Sequence, residues 1–245
     1  MTALFPTRKQ EEWRYADLDA LKRIWEQLAE PLTLTVGPGE SFEEVWLSGG
    51  DDVQVRRMKI ALEARAVARI VVLNTAAEYG RIELDVTLAD DADFTLFGAN
   101  IGGGSSNLEI VTTVHHIGTN GRSRQTVRSV LGGKAVGTYL GKVEVARNAQ
   151  KTDAEQSVKA MLLDRGAMAN CKPELEIFAD DVKCAHGASV GELDADQLFY
   201  AMSRGLDPAA ARALLLEGFV MGLWDDAKDR DQLCEISRDA LRAIA

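Results

Sequence analysis

The sequence is poor in the residues that staple or metallate small folds. It holds three cysteines and three histidines in 245 residues, and only 6% of it is aromatic. An odd, sparse set of thiols fits a free-thiol protein better than a disulfide scaffold, and it argues against a self-contained metal cluster. Positive charge is also short. There are 28 Lys+Arg against 38 Asp+Glu, a formal charge of −10. Phosphate backbones and anionic lipid need clustered cations, so neither nucleic acid nor a membrane is an expected partner. No apolar run reaches the ~18 residues that span a bilayer. The opening stretch, Met1 to Tyr15, lacks an apolar core followed by a small-residue cleavage site. That predicts a chain with no secretory leader and a cytoplasmic location.

What is present is an ordinary globular balance, 46% hydrophobic and 27% charged, long enough to bury a sizeable core. Three textures follow one another. Residues 1–65 read as a helical and irregular segment: Leu18, Leu21, Ile24, Trp25 and Leu28 recur at helical spacing between Glu11 and Glu30, and Pro31 stops the run. Short strands are expected within Thr33–Val36 and Glu44–Leu47. Residues 66–193 are a succession of short strand-like runs. Ile82-Glu83-Leu84-Asp85-Val86-Thr87-Leu88 alternates cleanly, and Asn120-Gly121 and Gly132-Gly133 mark turns. With no long amphipathic helix among them, crossover α/β sheets are disfavoured. A sandwich, a barrel and a β-helix remain, and the even stacking slightly favours the β-helix. Residues 194–245 are helical. Asp194 can cap a helix over Ala195–Arg204 with Gly205 as its stop, Asp207-Pro208 opens a second, and a third starts near Asp229. These helices read first as a cap on the open end of the β body and second as a docking surface.

Few residues offer chemistry. In an extended segment, side chains at i and i+2 share a face roughly 6.5–7 Å apart. Cys184 and His186 therefore point the same way, with Lys183 opposite but close enough for its charge to lower the thiol pKa. Thiolate and imidazole are ligands for zinc, copper or iron–sulfur iron. The spacing is wide for one ion and suits a cluster edge. The competing reading is a buried cysteine and a hydrogen-bonded histidine in a strand. His115-His116 reads as structural, since neighbours in a strand face opposite sides. Cys171 has no histidine within local reach, and Cys234 sits on an apolar helix stripe. There is no Gly-x-Ser-x-Gly elbow. Gly133-Lys134-Ala135 fails as a P-loop, because the first glycine would fall on Arg128. An ATP-driven role would therefore need an ATPase on another chain. Asp90, Asp91 and Asp93, with Asp180 and Asp181, could be carboxylates of a carbohydrate-active β-helix enzyme, or simply solvated turns.

A longer pattern resembles a known family. The run Lys172-Pro173-Glu174-Leu175-Glu176-Ile177-Phe178-Ala179-Asp180-Asp181-Val182-Lys183-Cys184-Ala185-His186-Gly187-Ala188-Ser189-Val190-Gly191 resembles the SufB/SufD signature. So do Asp196 to Leu206, Gln150 to Gln156, and Glu12-Trp13-Arg14-Tyr15; the strong match covers roughly residues 125–224. Ala201 stands where the SufB branch carries cysteine, and Cys184-Ala185-His186-Gly187 is similar to the SufD-type run. Ala185 for a common Ser and Ser189 for a common Thr are small departures.

The resemblance implies a right-handed parallel β-helix core with a short N-terminal helical segment and a C-terminal α-helical domain. It implies a scaffold rather than an enzyme, with no catalytic residue. That scaffold would work with a SufB-like subunit and a SufC-like ABC ATPase in iron–sulfur cluster assembly, a homodimer being an alternative assembly. His186 is the implied ligand to a nascent iron–sulfur cluster shared with the partner, and Cys184 a second participant. Leu214, Leu215 and Phe219 are the expected docking residues for the ATPase. Reduced FAD is a further implied component. Two alternatives stand beside this reading: a carbohydrate-active β-helix enzyme and a purely structural β-helix partner.

Overall fold

Alternation decides which way each strand faces. Ile82, Leu84, Val86 and Leu88 are all buried in one hydrophobic core, while Glu83, Asp85 and Thr87 between them are not. The computed structural model describes residues 5–28 and 30–244. Twelve strands run through them: β1 Leu32–Val36, β2 Ser41–Ser48, β3 Gln54–Leu62, β4 Val67–Asn74, β5 Tyr79–Leu88, β6 Asp93–Gly102, β7 Asn107–His116, β8 Arg122–Leu131, β9 Val136–Val145, β10 Asp153–Leu162, β11 Met168–Ile177 and β12 Lys183–Glu192. Odd strands form one six-stranded sheet in chain order and even strands the other. Neighbours pair in parallel. The chain is thus a parallel β-solenoid of about 6 turns, with its core between the two sheets.

The coil begins earlier than the expected boundary at residue 66. β1 pairs with β3, and β2 pairs with β4. The segment from Leu32 onward is therefore solenoid, not irregular. Its first two strands coincide with the runs expected at Thr33–Val36 and Glu44–Leu47, while β3, with Arg57 and Lys59 between its apolar residues, has no counterpart among the expected strands.

The first five corners from an odd strand to the next even strand each carry one residue in the left-handed region: Gly39, Arg65, Asp91, Asn120 and Lys151. Their amides form a ladder from coil to coil. Arg65 donates to the Asp90 carbonyl at 2.8 Å, Asp91 to Thr119 at 2.8 Å and Asn120 to Gln150 at 2.9 Å. Asn and Asp tolerate this conformation better than most residues, which gives those turn residues a mechanical reason. At the opposite corner Gly133 has φ +62°, and a Cβ there would lie 2.8 Å from the Gly104 carbonyl oxygen. Only glycine lets these two turns stack.

Four α-helices lie outside the coil: α1 Leu18–Ile24, α2 Ala195–Ser203, α3 Pro208–Val220 and α4 Arg230–Ile244. Asp194 accepts from the Asp196 and Gln197 amides, and Asp207 from Ala210, so both predicted caps form. The helices do not cap the open end. Leu216, Val220, Trp224, Leu233, Cys234 and Leu241 pack on Val71, Leu73, Ala99, Ile101 and Val130, the outward face of the even-strand sheet. That face is itself apolar and needs a cover, which alternation read strand by strand does not reveal.

The N-terminal segment covers the other sheet. The expected continuous helix over Glu11–Glu30 is instead a 3-10 turn at Glu11–Trp13, α1, and a second 3-10 turn at Trp25–Gln27. Asp17 accepts from the Asp19 and Ala20 amides and starts a new helix there. Ala29, within that expected helix, lies outside the described residues. Trp13, Ala16 and Leu21 pack on Tyr79. Arg81 donates to the Glu12 carbonyl at 2.9 Å, and its guanidinium carbon sits 3.8 Å from the Trp13 ring centroid. The Trp-Arg-Tyr stretch of the sequence is thus a fastening of this segment onto the coil.

Candidate functional site

The last strands decide where the Cys-His pair faces. In β10, Ala154, Gln156 and Val158 are buried and face the interior. β12 pairs with β10 in register, Cys184 beside Ala154 and His186 beside Gln156. Side chains paired in register share a face. Cys184 and His186 therefore point into the interior of the final coil. Cys184 is half-buried against the core. His186 is exposed, because no described strand lies beyond β12 to cover it. Both residues sit at the open end of the solenoid, and a concavity of about 350 Å3 is lined by Gln156, Val158, His186 and Ala188.

A third donor was missed in the sequence. Cys171 on β11 pairs with Tyr139, whose side chain is buried inside the coil, and it too packs against the core from the interior side. Cys171 thus joins the open end from the opposite sheet. Nothing near it in sequence could have shown this; the signal is the register between β9 and β11. Burial pushes both thiols up, with the Asp153 carboxylate adding to the effect at Cys184. The expected lowering of the Cys184 pKa by Lys183 does not occur, since Lys183 faces solvent and desolvation dominates. Among the described residues no group of three or more His, Cys, Asp or Glu is placed to hold a metal ion. The donors present are soft and few.

Behind this end lies a buried polar chain. The Tyr139 hydroxyl donates to Gln125 Oε1 at 3.1 Å and accepts from Gln156 Nε2 at 3.1 Å, with Thr112 Oγ1 at 3.3 Å. Burial pushes the phenol up to about 12, so it stays a neutral donor. Gly141 makes room for the ring: a Cβ there would fall 2.2 Å from the Tyr139 hydroxyl oxygen.

The second candidate surface is helical. Phe199 is 72% and Leu214 57% exposed, and Tyr200 and Met202 are exposed beside them. Tyr200, Ala201, Leu206, Leu214 and Leu215 line a groove of about 520 Å3 between α2 and α3. Of the three expected docking residues, Leu214 is open and Leu215 lines the groove. Phe219 is half-buried against the apolar cover of the even-strand sheet, with Arg128 5.9 Å from its ring centroid; it helps attach α3 to the coil. The α2 aromatics were missed as surface residues, although a Phe-Tyr pair in a short capped helix is a visible signal.

Four other candidates, Asp90, Asp181, His115 and His116, have structural duties. Asp90 accepts from the Thr119 amide and hydroxyl, and Asp181 pairs with Lys151 along the corner ladder. These carboxylates hold turns. His115 pairs with Glu144 at 2.6 Å and Asp85 at 3.2 Å on the outer face, while His116 is buried on Ser123.

Residues 42–219 match the family model described as SUF system FeS cluster assembly, SufBD core domain. An iron–sulfur cluster assembly SufBD family protein of Synechocystis is 34% identical over 177 residues, covering 72% of this chain and 39% of that protein. Protein ABCI7, chloroplastic, of Arabidopsis thaliana is 35% identical, over 69% of this chain and 37% of its own. The iron–sulfur cluster assembly protein SufD of Escherichia coli is 37% identical over 44% of this chain and 25% of its own. The chain therefore spans about two fifths or less of the length of these relatives.

Proposed function

The chain belongs to the SufBD family, and on that premise we propose that it is a scaffold subunit in iron–sulfur cluster assembly and not an enzyme by itself. The cluster is its cargo. His186 supplies one ligand and Cys184 a second, and a SufB-like subunit seated on the open end of the coil supplies the rest. One observation supports this most: soft and borderline donors face into the interior at the end of the coil beyond which no described strand lies. The ligand set is incomplete by construction, and β11 and β12 offer unpaired strand edges for a second chain. A site divided between two chains also suits temporary cargo. A small separation breaks the ligand set and frees the cluster. No residue of this chain is assigned to a reduced flavin, and no step here needs one.

The test is the iron and acid-labile sulfide content of the chain co-purified anaerobically with its SufB-like and SufC-like partners. His186→Ala is expected to remove most of the cluster from an intact complex. Full cluster in that variant would leave this chain an architectural partner and move the ligands to the other subunit.

The SufC-like ATPase is proposed to dock on the α2–α3 groove. Deleting α3 and α4 would strip the apolar face of the even-strand sheet, so a surface change is the cleaner probe. Leu214→Asp is expected to weaken ATPase-subunit binding by about tenfold or more, the scale of a lost interface anchor, with an unchanged melting temperature. Equal binding in a titration by calorimetry would exclude this groove.

A further inference from the structure

One buried polar atom points to a residue that sets the state of His186. Gln156 is 1% exposed. Its Nε2 donates to the Tyr139 hydroxyl, but its Oε1 has no partner. A buried amide oxygen without a donor is costly and uncommon. Tyr139 gives its one proton to Gln125 Oε1 and so can only accept from Gln156. In this arrangement the Gln156 amide nitrogen meets Tyr139 and its oxygen is one free terminus of the polar chain; Gln125 Nε2, on the side away from the open end, is the other. In the even-strand sheet Gln156 has Gln125 on one side and His186 on the other. Parallel neighbours lie ~4.8 Å apart, within reach of two facing side chains. Both line the same concavity at the open end.

We propose that Gln156 Oε1 accepts the N–H of His186 and so fixes the imidazole tautomer. The other ring nitrogen then keeps its lone pair and faces the open end, where a metal-centred cargo would meet it. Gln156 is a positioning residue, held in turn by Tyr139 and, through it, by Thr112 and Gln125. The proposal rests on the reading of His186 as a ligand for its purpose but not for its test, which needs no cluster.

The experiment is long-range 15N–1H NMR on the full chain with 15N-labelled histidine, His186 being assigned by its loss in His186→Ala. The wild type is expected to show one dominant His186 tautomer. Gln156→Met keeps the length and removes the acceptor, and should change the tautomer ratio by about tenfold toward that of free imidazole, the scale of one hydrogen bond. Should that variant fold poorly, Tyr139→Phe releases the Gln156 amide and is expected to move the ratio in the same direction. An evenly mixed His186 in the wild type, or an unchanged ratio in both variants, overturns the proposal. A shifted ratio together with full cluster in His186→Ala complexes supports it and overturns the ligand reading instead.

Discussion

Glu109→Leu is expected to destabilise the chain by about 3–5 kcal/mol, the range for breaking a buried ion pair on one side. Glu109 and Arg81 are both fully buried beneath the N-terminal segment. Arg81 Nη1 donates to Glu109 at 2.7 Å, Arg81 Nη2 donates to Glu83 at 3.0 Å, and the Tyr79 hydroxyl donates to Glu109 at 2.9 Å. Burial and the Glu109 charge both push the Tyr79 phenol up, so it is held as a donor. Removing the Glu109 carboxylate leaves a guanidinium half-neutralised and a phenol without an acceptor, in a place water does not reach. Glu83 is already shared with Arg57. Equilibrium urea unfolding measures the loss. The double replacement Arg81→Met with Glu109→Leu is expected to recover much of it, because the charge that needs a partner is gone. The same variant should loosen the segment carrying Glu12 and Trp13, seen as faster limited proteolysis there. A cost below about 1 kcal/mol for Glu109→Leu would mean that the coil carries this pair without depending on it.

Mild acid should find a different weak point. His116 faces the interior, is buried, and has Ser123 Oγ 2.9 Å from Nε2, while Nδ1 has no partner. Burial lowers its pKa from 6.5 to about 4. Between those values the unfolded chain takes up a proton that the folded chain refuses. Stability is therefore fully expressed above pH 6.5 and declines as pH falls toward 4, by about 3 kcal/mol if the whole shift is realised. The carboxylates held low by their partners, Glu83 on Arg81 and Arg57 and Asp90 on Thr119, lose their contribution only below their ordinary range. The His116 slope thus comes first on acidification. Unfolding free energies at pH 7, 6, 5 and 4.5 for wild type and His116→Gln check this. A parallel decline in both would assign the acid sensitivity elsewhere.

Local chemistry was legible in the sequence where it is complete within a few residues. Asp194 and Asp207 cap helices because a carboxylate three residues from an amide needs nothing from the rest of the fold. Ile82 to Leu88 reads as a strand because one face meets the core. Legibility failed where the fold supplies the meaning. β10 turns Ala154, Gln156, Val158 and Ala160 inward, a set too small and polar to look like a core strand, because its neighbour at the open end is not covered. The coil repeat was invisible because its length changes. Val67 pairs with Asp93, 26 residues on, but Val136 pairs with Met168, 32 residues on. The seat of α3 and α4 depends on an apolar outer sheet face that strand alternation treats as solvent. Cys184 and His186 could be placed on one face from spacing alone. That Cys171 shares their end of the coil depends on inter-strand register.

Coils stacked in one dimension touch only their nearest neighbours, so their stability is strung along an axis instead of shared through a centre. The first sheet face lies under the N-terminal segment and the second under α3 and α4, but the last rung, β11 with β12, has a neighbour on one side only. Like the first rung it is placed to fray, and it carries Cys171, Cys184 and His186. A subunit docked there, as proposed above, would act as the missing rung as well as a ligand donor. On the proposed reading, assembly, closure of the metal shell and tightening of the local backbone would become one cooperative event, and departure of the partner would reverse all three together.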